Sequence, residues 1–472
     1  MDLYLLSPEI ALLALALVVL ILDFFVNDKR VVAYLSLLGL AVPAYLAFSL
    51  VGRQETSFYG SLIVDPYAVF FKLLFIAAAA LVILASVQYA ERSILWRGEF
   101  FALTLFATVG MMLMASAGDL IMVYIALETA SISLYVLAGF RKRDPFSGEA
   151  SLKYLLLGAL ASAILLYGMA LLYGLSGSTT LSVIGQSLAR QATNPVALLA
   201  MALVISGFGF KIAAVPFQMW APDVYQGAPT PVTAFLSVAS KASGFAVLIR
   251  VVTSALGPLQ ADWQAMFAAL AVITMFVGNL AAIPQRNIKR MMGYSSIAMA
   301  GYLLVGMAAL AGGGSGSILL FLAAYTVTNL GAFAAIIAFS NQVGSDEIED
   351  YSGLAARSPL LALGFAFCLF SLIGIPPLAG FFGKFYVFAE AFNQGLGLLV
   401  IIALLNSAIS MYYYLRVVRV MYLNPPREET PLKVPGSLAT AVAVTALGVI
   451  AIGVGIGPLM TTAQVAAQGL IR

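Results

Sequence analysis

Two lysines, Lys211 and Lys241, stand inside long apolar runs, and the chain between them contains Pro216, Pro222, Pro229 and Pro231. Insertion of lysine at the centre of a membrane helix costs about 2.5–3.5 kcal/mol, so such a residue is a candidate for function. Proline breaks a helix, and the carbonyls it frees are tolerated at membrane depth only against protein or a water-filled cavity. A broken helix with a titratable group is typical of ion sites in transporters. This stretch therefore predicts an ion or proton pathway.

A carboxylate and a third lysine extend this pattern. Glu128 lies in LIMVYIALETASISLYVLAG, about 13 Å along its helix from Asp119 at about 1.5 Å per residue. We expect Glu128 to pair with Lys211, because a carboxylate beside an ammonium stays ionised at mid-depth. An ion pair with a purely structural role is the alternative. Lys384, in FSLIGIPPLAGFFGKFYVF, repeats the combination of a proline-broken apolar run and a lysine.

The absence of histidine narrows the chemistry of this pathway. The sequence contains none, so no side chain titrates near pH 7 unless its surroundings perturb it. Burial disfavours the charged form of lysine and so makes proton release easier. We therefore expect a proton relay to use Lys211, Lys241, Lys384 and Glu128 with hydroxyls and water. The alternative is that the three lysines pair statically with carbonyls.

Three other charged residues occur near the predicted spans. Lys153 follows the loop RKRDPFSGEAS and could either begin a relay on the cytoplasmic side or extend to the interface. Lys72 comes seven residues after Asp65, and we expect it to extend to the outer face. Asp223, in WAPDVY, is expected to be a cap or turn residue rather than a proton carrier.

Composition limits the class of protein and its cofactors. The chain has 472 residues, of which 62% are hydrophobic and 10% are charged, and its mean hydropathy is +1.01. Soluble domains have about 25% charged residues, so this composition predicts an integral membrane protein. With one cysteine and no histidine, bis-histidine haem, thiolate iron–sulfur clusters, blue copper and structural zinc are excluded. We expect no cofactor in this chain and an inert, buried Cys368.

Hydrophobic runs of about 18–25 residues predict an all-α protein with about fourteen transmembrane helices. The first run, from about Leu3 to Asp23, lacks the features of a cleaved signal peptide and is interpreted as a retained span. Cytoplasmic loops are rich in Lys and Arg, and their distribution here predicts that both termini face outside. The expected location is the cell (inner) membrane of a prokaryote. Of 24 cationic residues, five lie in spans, 15 fall on the inner side and four on the outer side, namely Arg53, Arg190, Arg250 and Arg472. The inner set is Lys29, Arg30, Arg92, Arg97, Arg141, Lys142, Arg143, Arg286, Lys289, Arg290, Arg357, Arg416, Arg419, Arg427 and Lys433.

The two proline-broken lysine segments also indicate an internal repeat. They belong to the predicted seventh and twelfth helices, and an odd offset of five helices inverts the second copy in the bilayer. The sequence thus predicts two inverted five-helix repeats with discontinuous helices 7 and 12. We expect a three-helix segment over 1–98, the repeats over 99–255 (helices 4–8) and 256–423 (helices 9–13), and a last helix over 424–472.

Long motifs in the chain resemble a known family. FKIAAVPFQMWAPDVYQGAPTPVTAFLSVASKASGF resembles the central signature of the antiporter-like subunits of proton-pumping NADH:quinone oxidoreductase, respiratory complex I. FSLIGIPPLAGFFGKFYVF is similar to the twelfth helix of that family, and ALETASISLYVLAG with EASLKYLLLGALASA is similar to its fifth and sixth. The similarity extends over nearly the whole chain. A lysine on helix 12, where one sister subunit has glutamate, favours the subunit N branch.

The resemblance implies a polar axis through the membrane and a set of partners. Its residues here are Glu128, Lys211, Lys241 and Lys384, with Lys153 on helix 6. The expected partners are neighbouring antiporter-like and small membrane subunits and the lipid bilayer, without nucleic acid. FMN, iron–sulfur clusters and quinone are expected in partner subunits. One position departs from the family pattern PFHxWxPD, because Gln218 replaces the histidine and an amide takes up no proton at working pH.

Two other functions fit the same residues. A subunit of a multisubunit sodium/proton antiporter would use an ion gradient, and flavin and iron–sulfur genes beside this one would argue against it. A structural membrane scaffold of a redox complex would have no pathway of its own. It predicts that neutral residues can replace the buried lysines without loss of pumping.

Overall fold

The computed structural model describes residues 2–92, 98–310 and 314–470, and within them the chain is helical almost throughout. Thirteen helical segments in this part are long and apolar enough to cross a membrane, so the protein is a multi-pass membrane protein. Three of the cationic residues assigned to the inner and outer sides have side chains outside the described part, namely Arg92, Arg97 and Arg472. The α-helices are α1 Ser7–Phe25, α2 Lys29–Gly39, α3 Ala41–Ser49, α4 Pro66–Arg92, α5 Gly98–Ala115, α6 Leu120–Ala138, α7 Pro145–Ser176, α8 Leu181–Leu188, α9 Pro195–Ile212, α10 Trp220–Gly227, α11 Thr230–Phe235, α12 Lys241–Ser254, α13 Gln260–Ala282, α14 Ile288–Ala308, α15 Ser315–Val343, α16 Leu354–Arg357, α17 Pro359–Ile373, α18 Ala379–Asn393, α19 Gly397–Leu423, α20 Gly436–Val454 and α21 Ile456–Gln468.

The predicted twelfth span accounts for the difference between thirteen long segments and fourteen expected helices. It consists of two 15-residue helices, α17 and α18. The first ends at Gly374, whose φ of 96° lies in the left-handed region that glycine adopts without steric penalty. Each half alone is too short to span about 30 Å of hydrocarbon. The predicted discontinuity of helix 12 is confirmed, and it divides one crossing into two pieces.

The predicted seventh helix is interrupted in the same manner. Helix α9 ends at Ile212, and Ala213 follows with a left-handed φ of 58°. The chain then passes through a short non-helical segment to α10, which is followed by the eighth span, Thr230–Ser254. A π-helical turn over Leu236–Ser240 joins α11 to α12 inside that span. Such turns are rare and occur frequently at functional sites.

A short β-hairpin was not predicted from the sequence. Strands β1, Glu55–Ser57, and β2, Leu62–Val64, form a short antiparallel hairpin between α3 and α4. The backbone N–H of Ile63 donates to Ser116 O at 2.8 Å, which attaches the hairpin to the loop after α5. At three residues each, the strands are too short for a clear alternating pattern in the sequence.

Contacts between loops show which loops share a side of the membrane. Asp119 pairs with Thr180, and Asn287 pairs with Glu347, in isolated β-bridges. In a chain of fourteen crossings with α17 and α18 counted as one, each of these contacts joins loops on the same side. At the centre of the molecule, α12, α14 and α15 have nearly all their residues buried. These helices carry or surround the lysines of the candidate site.

Candidate proton-transfer site

Lys211 lies in the last turn of α9, directly before the break, and is 4% exposed. Its Nζ donates to the hydroxyl of Ser131 on α6 at 3.1 Å. At the break, the carbonyl of Phe210 accepts from the Ala213 N–H at 3.1 Å and from the indole N–H of Trp220 on α10 at 2.9 Å. The tryptophan therefore helps to satisfy the broken backbone, and the lysine faces a hydroxyl instead of a carbonyl.

Glu128 does not form the direct ion pair with Lys211 that the sequence predicts. Its carboxylate accepts from the hydroxyl of Ser162 on α7, and it is half-buried. Ser131, which binds Lys211, lies three residues further along α6, which places it on the same helix face as Glu128. The carboxylate is still close enough for its charge to act on Lys211. The expected pair is therefore replaced by an arrangement in which a serine contacts the ammonium.

Lys241 is the first residue of α12 after the π-helical turn and is 1% exposed. Its Nζ donates to both the carbonyl oxygen and the hydroxyl of Ser296 on α14. The hydroxyls of Ser296 and Tyr225 are 3.1 Å apart. A Cβ added to Gly244 would lie 3.1 Å from Cγ of Lys211. The glycine one turn after Lys241 therefore packs against the stem of Lys211, so α12 contacts α9 close to both lysines.

Lys384 lies in α18, and its ammonium occupies the break of helix 12. It donates to the carbonyls of Leu372 at 2.9 Å and Ile373 at 3.0 Å, and to the Ser407 hydroxyl at 3.1 Å. The two carbonyls end α17 and have no continuing helix to bind. A cavity of about 380 Å³ between α18 and α19 reaches this lysine. Lys384 thus lies after its break, whereas Lys211 lies before its own, so the two lysines are not in equivalent positions.

Lys153 is not brought to the three buried lysines. Its side chain is 41% exposed and pairs with Glu149 at 2.7 Å and with Asp223 at 2.6 Å. Asp223 also binds Arg290 of α14 at 2.6 Å. Burial would raise the pKa of this carboxyl, but the hydrogen bonds from Lys153 and Arg290 outweigh burial and hold the pKa below its ordinary 3.8. The interpretation of Asp223 as a cap or turn residue is wrong, because it is the centre of an ion cluster that joins α7, α10 and α14.

Sequence reasoning missed two buried ion pairs. Lys72 does not extend to the outer face as expected, since it is fully buried and its Nζ lies 2.9 Å from Glu9 of α1. Arg250 was assigned to an outer loop but lies within α12, where both of its terminal nitrogens bind Asp65 at 3.0 Å and both residues are fully buried. Each pair joins residues far apart in sequence. For each pair, the sequence signal was a basic residue in one apolar run and an acidic residue in or beside another.

Gln218 and Cys368 complete the residues that the sequence singled out. Gln218 lies between α9 and α10, and its buried Oε1 accepts no hydrogen bond from the described residues. Cys368 is buried in α17 as a free thiol, as predicted. Within residues 2–92, 98–310 and 314–470, no three His, Cys, Asp or Glu side chains come together in a group that could hold a metal ion.

The hydrogen-bond acceptors of Lys211, Lys241 and Lys384 indicate what these lysines can do chemically. Three of the buried ammonium groups, those of Lys211, Lys241 and Lys384, have hydroxyls and backbone carbonyls as hydrogen-bond acceptors in the described part of the chain. A buried charge without a counter-ion is costly, whereas the neutral amine is easily buried. Such a lysine can exchange a proton with a neighbouring hydroxyl or water without breaking a salt bridge. The site therefore suits proton transfer more than static charge pairing.

Comparisons with known proteins agree with this fold. A family model described as NADH:quinone oxidoreductase/Mrp antiporter matches residues 117–410. NADH-quinone oxidoreductase subunit N of Moorella thermoacetica is 47% identical over 468 residues, which are 98% of each chain. A chain of respiratory complex I from Thermus thermophilus is 36% identical, with a TM-score of 0.83 over 96% of this chain and 98% of that one. A chain of the Mrp complex from a Dietzia species has a TM-score of 0.88 at 20% identity, covering 100% and 98% of the two chains, which shows a common fold alone.

Proposed function

The chain belongs to the antiporter-like membrane family that NADH:quinone oxidoreductases and Mrp antiporters share, and we propose that it carries protons along Glu128, Lys211, Lys241 and Lys384. It is a proton-translocating membrane subunit of an NADH:quinone oxidoreductase. Identity of 47% over nearly the full length to a subunit N favours this function over the sodium/proton antiporter. The observation that carries the proposed pathway is the set of three buried lysines with neutral acceptors.

The proposed transfer begins where electron transfer in the partner subunits changes the surroundings of Glu128. A negative Glu128 stabilises the ammonium of Lys211, so a displacement or protonation of the carboxylate favours release of the lysine proton. The neighbouring Lys241 takes up this proton, and Lys384 receives it next. Lys153, in its ion cluster with Asp223, is the proposed cytoplasmic start of the route.

The surroundings of the chain follow from this function. We propose that the partners are neighbouring antiporter-like and small membrane subunits, and that FMN, iron–sulfur clusters and quinone lie in partner subunits. The proposed location is the inner membrane of a prokaryote, with both termini outside. The uneven distribution of Lys and Arg between the loops supports this orientation.

The test is proton pumping in sealed vesicles by the complex that carries Lys211→Ala. We expect assembly to be retained and both pumping and NADH-driven quinone reduction to fall about 100-fold, the lower end of what one positioned proton-transfer group contributes. Lys433→Ala removes an exposed lysine and should leave both rates unchanged. Unchanged rates in an assembled Lys211→Ala complex would support a structural scaffold. Sodium/proton exchange without NADH-linked activity would support the antiporter.

A further inference from the structure

Helix α14 contacts both Lys241 and Lys384. Ser296 binds the ammonium of Lys241, and the ring of Tyr302 lies 4.8 Å from Nζ of Lys384. These two residues are six positions apart on α14, which corresponds to about 9 Å along the helix axis. A proton that passes from Lys241 to Lys384 must cross this interval inside the protein core.

A group of fully buried polar residues lies beside this interval, where α13, α14 and α19 meet. We call Asn279, Tyr302, Asn406, Tyr413 and Tyr414 the tyrosine–asparagine cluster. Nδ2 of Asn279 donates to the Tyr302 hydroxyl at 3.2 Å and to Oδ1 of Asn406 at 3.1 Å. The Tyr413 hydroxyl donates to Oδ1 of Asn279 at 3.0 Å. Asn279 therefore orients two phenol groups from different helices.

The cluster reaches Lys384 at one end. Ser407 and Ser410 on α19 lie near the Tyr302 hydroxyl, and the Ser407 hydroxyl accepts from Nζ of Lys384 at 3.1 Å. One serine therefore binds the ammonium and lies near the closest phenol of the cluster. The face of Tyr302 also stabilises the positive charge directly through a cation–π contact.

The other end of the cluster points toward Lys241. The rings of Tyr413 and Tyr414 are 4.4 Å apart, and the Tyr414 hydroxyl bonds with Ser295, the neighbour of Ser296. Tyr325 of α15 lies close to both Ser296 and Tyr414. Its buried hydroxyl forms no hydrogen bond of normal geometry with any described residue. A buried hydroxyl needs a partner, and a water molecule between these oxygens would have enough polar neighbours to be stable.

We infer that the tyrosine–asparagine cluster, with Ser296, Tyr325 and Ser407, is the route by which protons cross from Lys241 to Lys384. This inference rests on the proposed function. An N–H bond of the Lys241 ammonium breaks first and leaves a neutral amine. At each hydroxyl one O–H bond forms on the Lys241 side and one breaks on the Lys384 side, so every hydroxyl remains neutral. The proton ends on the neutral amine of Lys384, which becomes an ammonium.

Asn279 has a different role from the hydroxyls, because its amide takes up no proton at working pH. It is a positioning residue that holds the phenols of Tyr302 and Tyr413 toward one another. The proton crosses between these two phenol oxygens through one water molecule. The absence of histidine from the chain explains why hydroxyl groups are needed along this stretch.

The test compares two adjacent tyrosines of α19 in the assembled complex. Tyr413→Phe removes only the hydroxyl that binds Asn279, whereas Tyr412→Phe removes one from a side chain that is 61% exposed. Proton pumping per assembled complex is measured in H₂O and in D₂O. We expect Tyr413→Phe to slow pumping about tenfold and to increase the D₂O effect, because proton transfer then limits the rate. Tyr412→Phe should match the unaltered complex.

The outcomes separate this inference from the function on which it rests. If Lys384→Ala abolishes pumping while an assembled Tyr413→Phe complex pumps at the normal rate, the cluster is not the route and the lysine relay stands. If neither variant changes pumping, the relay itself is wrong. A slower rate with an unchanged D₂O effect would show a structural role for Tyr413 and overturn the inference. If Tyr413→Phe does not assemble, Tyr302→Phe decides by the same criteria.

Discussion

At the scale of single residues, the buried charges fall into two classes according to their partners. Lys72 and Arg250 each face a carboxylate, Glu9 and Asp65 respectively, whereas Lys211, Lys241 and Lys384 face hydroxyls and carbonyls. A paired charge keeps its protonation state because the partner stabilises it, but an ammonium among neutral acceptors can lose its proton. The partner therefore distinguishes structural charges from those suited to proton transfer.

This distinction predicts a large loss of stability when the Lys72–Glu9 pair is broken. Glu9→Gln leaves a fully buried ammonium without its counter-ion, and we expect the free energy of unfolding to fall by about 3–5 kcal/mol. The measurement is thermal unfolding of the purified complex. The double variant Glu9→Leu with Lys72→Met removes both charges and should recover most of the loss.

A matched control for this prediction exists in the exposed pair Arg53–Glu55, whose side chains are 40% and 44% exposed. Glu55→Gln should change the free energy of unfolding by about 1 kcal/mol or less. Equal effects of Glu9→Gln and Glu55→Gln would show that the buried Lys72–Glu9 pair contributes no more to the free energy of unfolding than the exposed pair.

At the scale of elements, the site depends on helices that stop inside the membrane. In helix 12 the break releases the carbonyls of Leu372 and Ile373 to Lys384. Gly380 keeps the halves together, because its N–H donates to the hydroxyl of Ser371 at 2.9 Å and an added Cβ would lie 1.9 Å from the carbonyl oxygen of Ser371. A small residue at this position thus sets the distance between α17 and α18.

Gly380→Ala should therefore separate the two halves of helix 12 and displace Lys384 from its carbonyls. We expect a stability loss of about 1–3 kcal/mol, as for other overpacked interiors, together with a strong loss of pumping. Gly148→Ala is the control, because Gly148 is an exposed helical residue with open space around an added Cβ. That change should be neutral or stabilise by up to about 1 kcal/mol. Normal pumping by assembled Gly380→Ala complexes would show that this close contact is unimportant.

At the scale of the whole molecule, the loops divide into a predicted inner set and a predicted outer set. The contacts cited below join loops or helix ends of the same set. The link from Lys153 to Asp223 and that from Gln342 to the carbonyl of Lys433 both join loops or helix ends on the predicted inner side. The hairpin at Glu55–Val64 belongs to the predicted outer side. Internal consistency of this kind supports the predicted assignment of these loops to one side.

The orientation can be tested with single cysteines, because the native Cys368 is buried. We expect Lys433→Cys to react with a membrane-impermeant thiol reagent only from the cytoplasmic side and Thr56→Cys only from the outer side. Both positions are exposed in the chain. Labelling of both from the same side would contradict the count of fourteen crossings, and labelling from the reverse sides would invert the proposed orientation.

The sequence by itself determined the class of protein, the two broken helices and the lysines near them. Apolar length reports membrane crossings directly, and proline and lysine within apolar runs are costly enough to stand out. For the same reasons the resemblance that rests on these motifs pointed to the family that the comparisons show.

Only the tertiary structure decided what each charge contacts. The Lys72–Glu9 and Asp65–Arg250 pairs, the serine that binds Lys211, and the tyrosine–asparagine cluster join residues that are distant in sequence. Hydrogen bonds act over about 3 Å, so these partners depend on how whole helices rotate and pack. A pattern along one helix predicts which face is polar, but the packing of neighbouring helices decides which atoms meet that face.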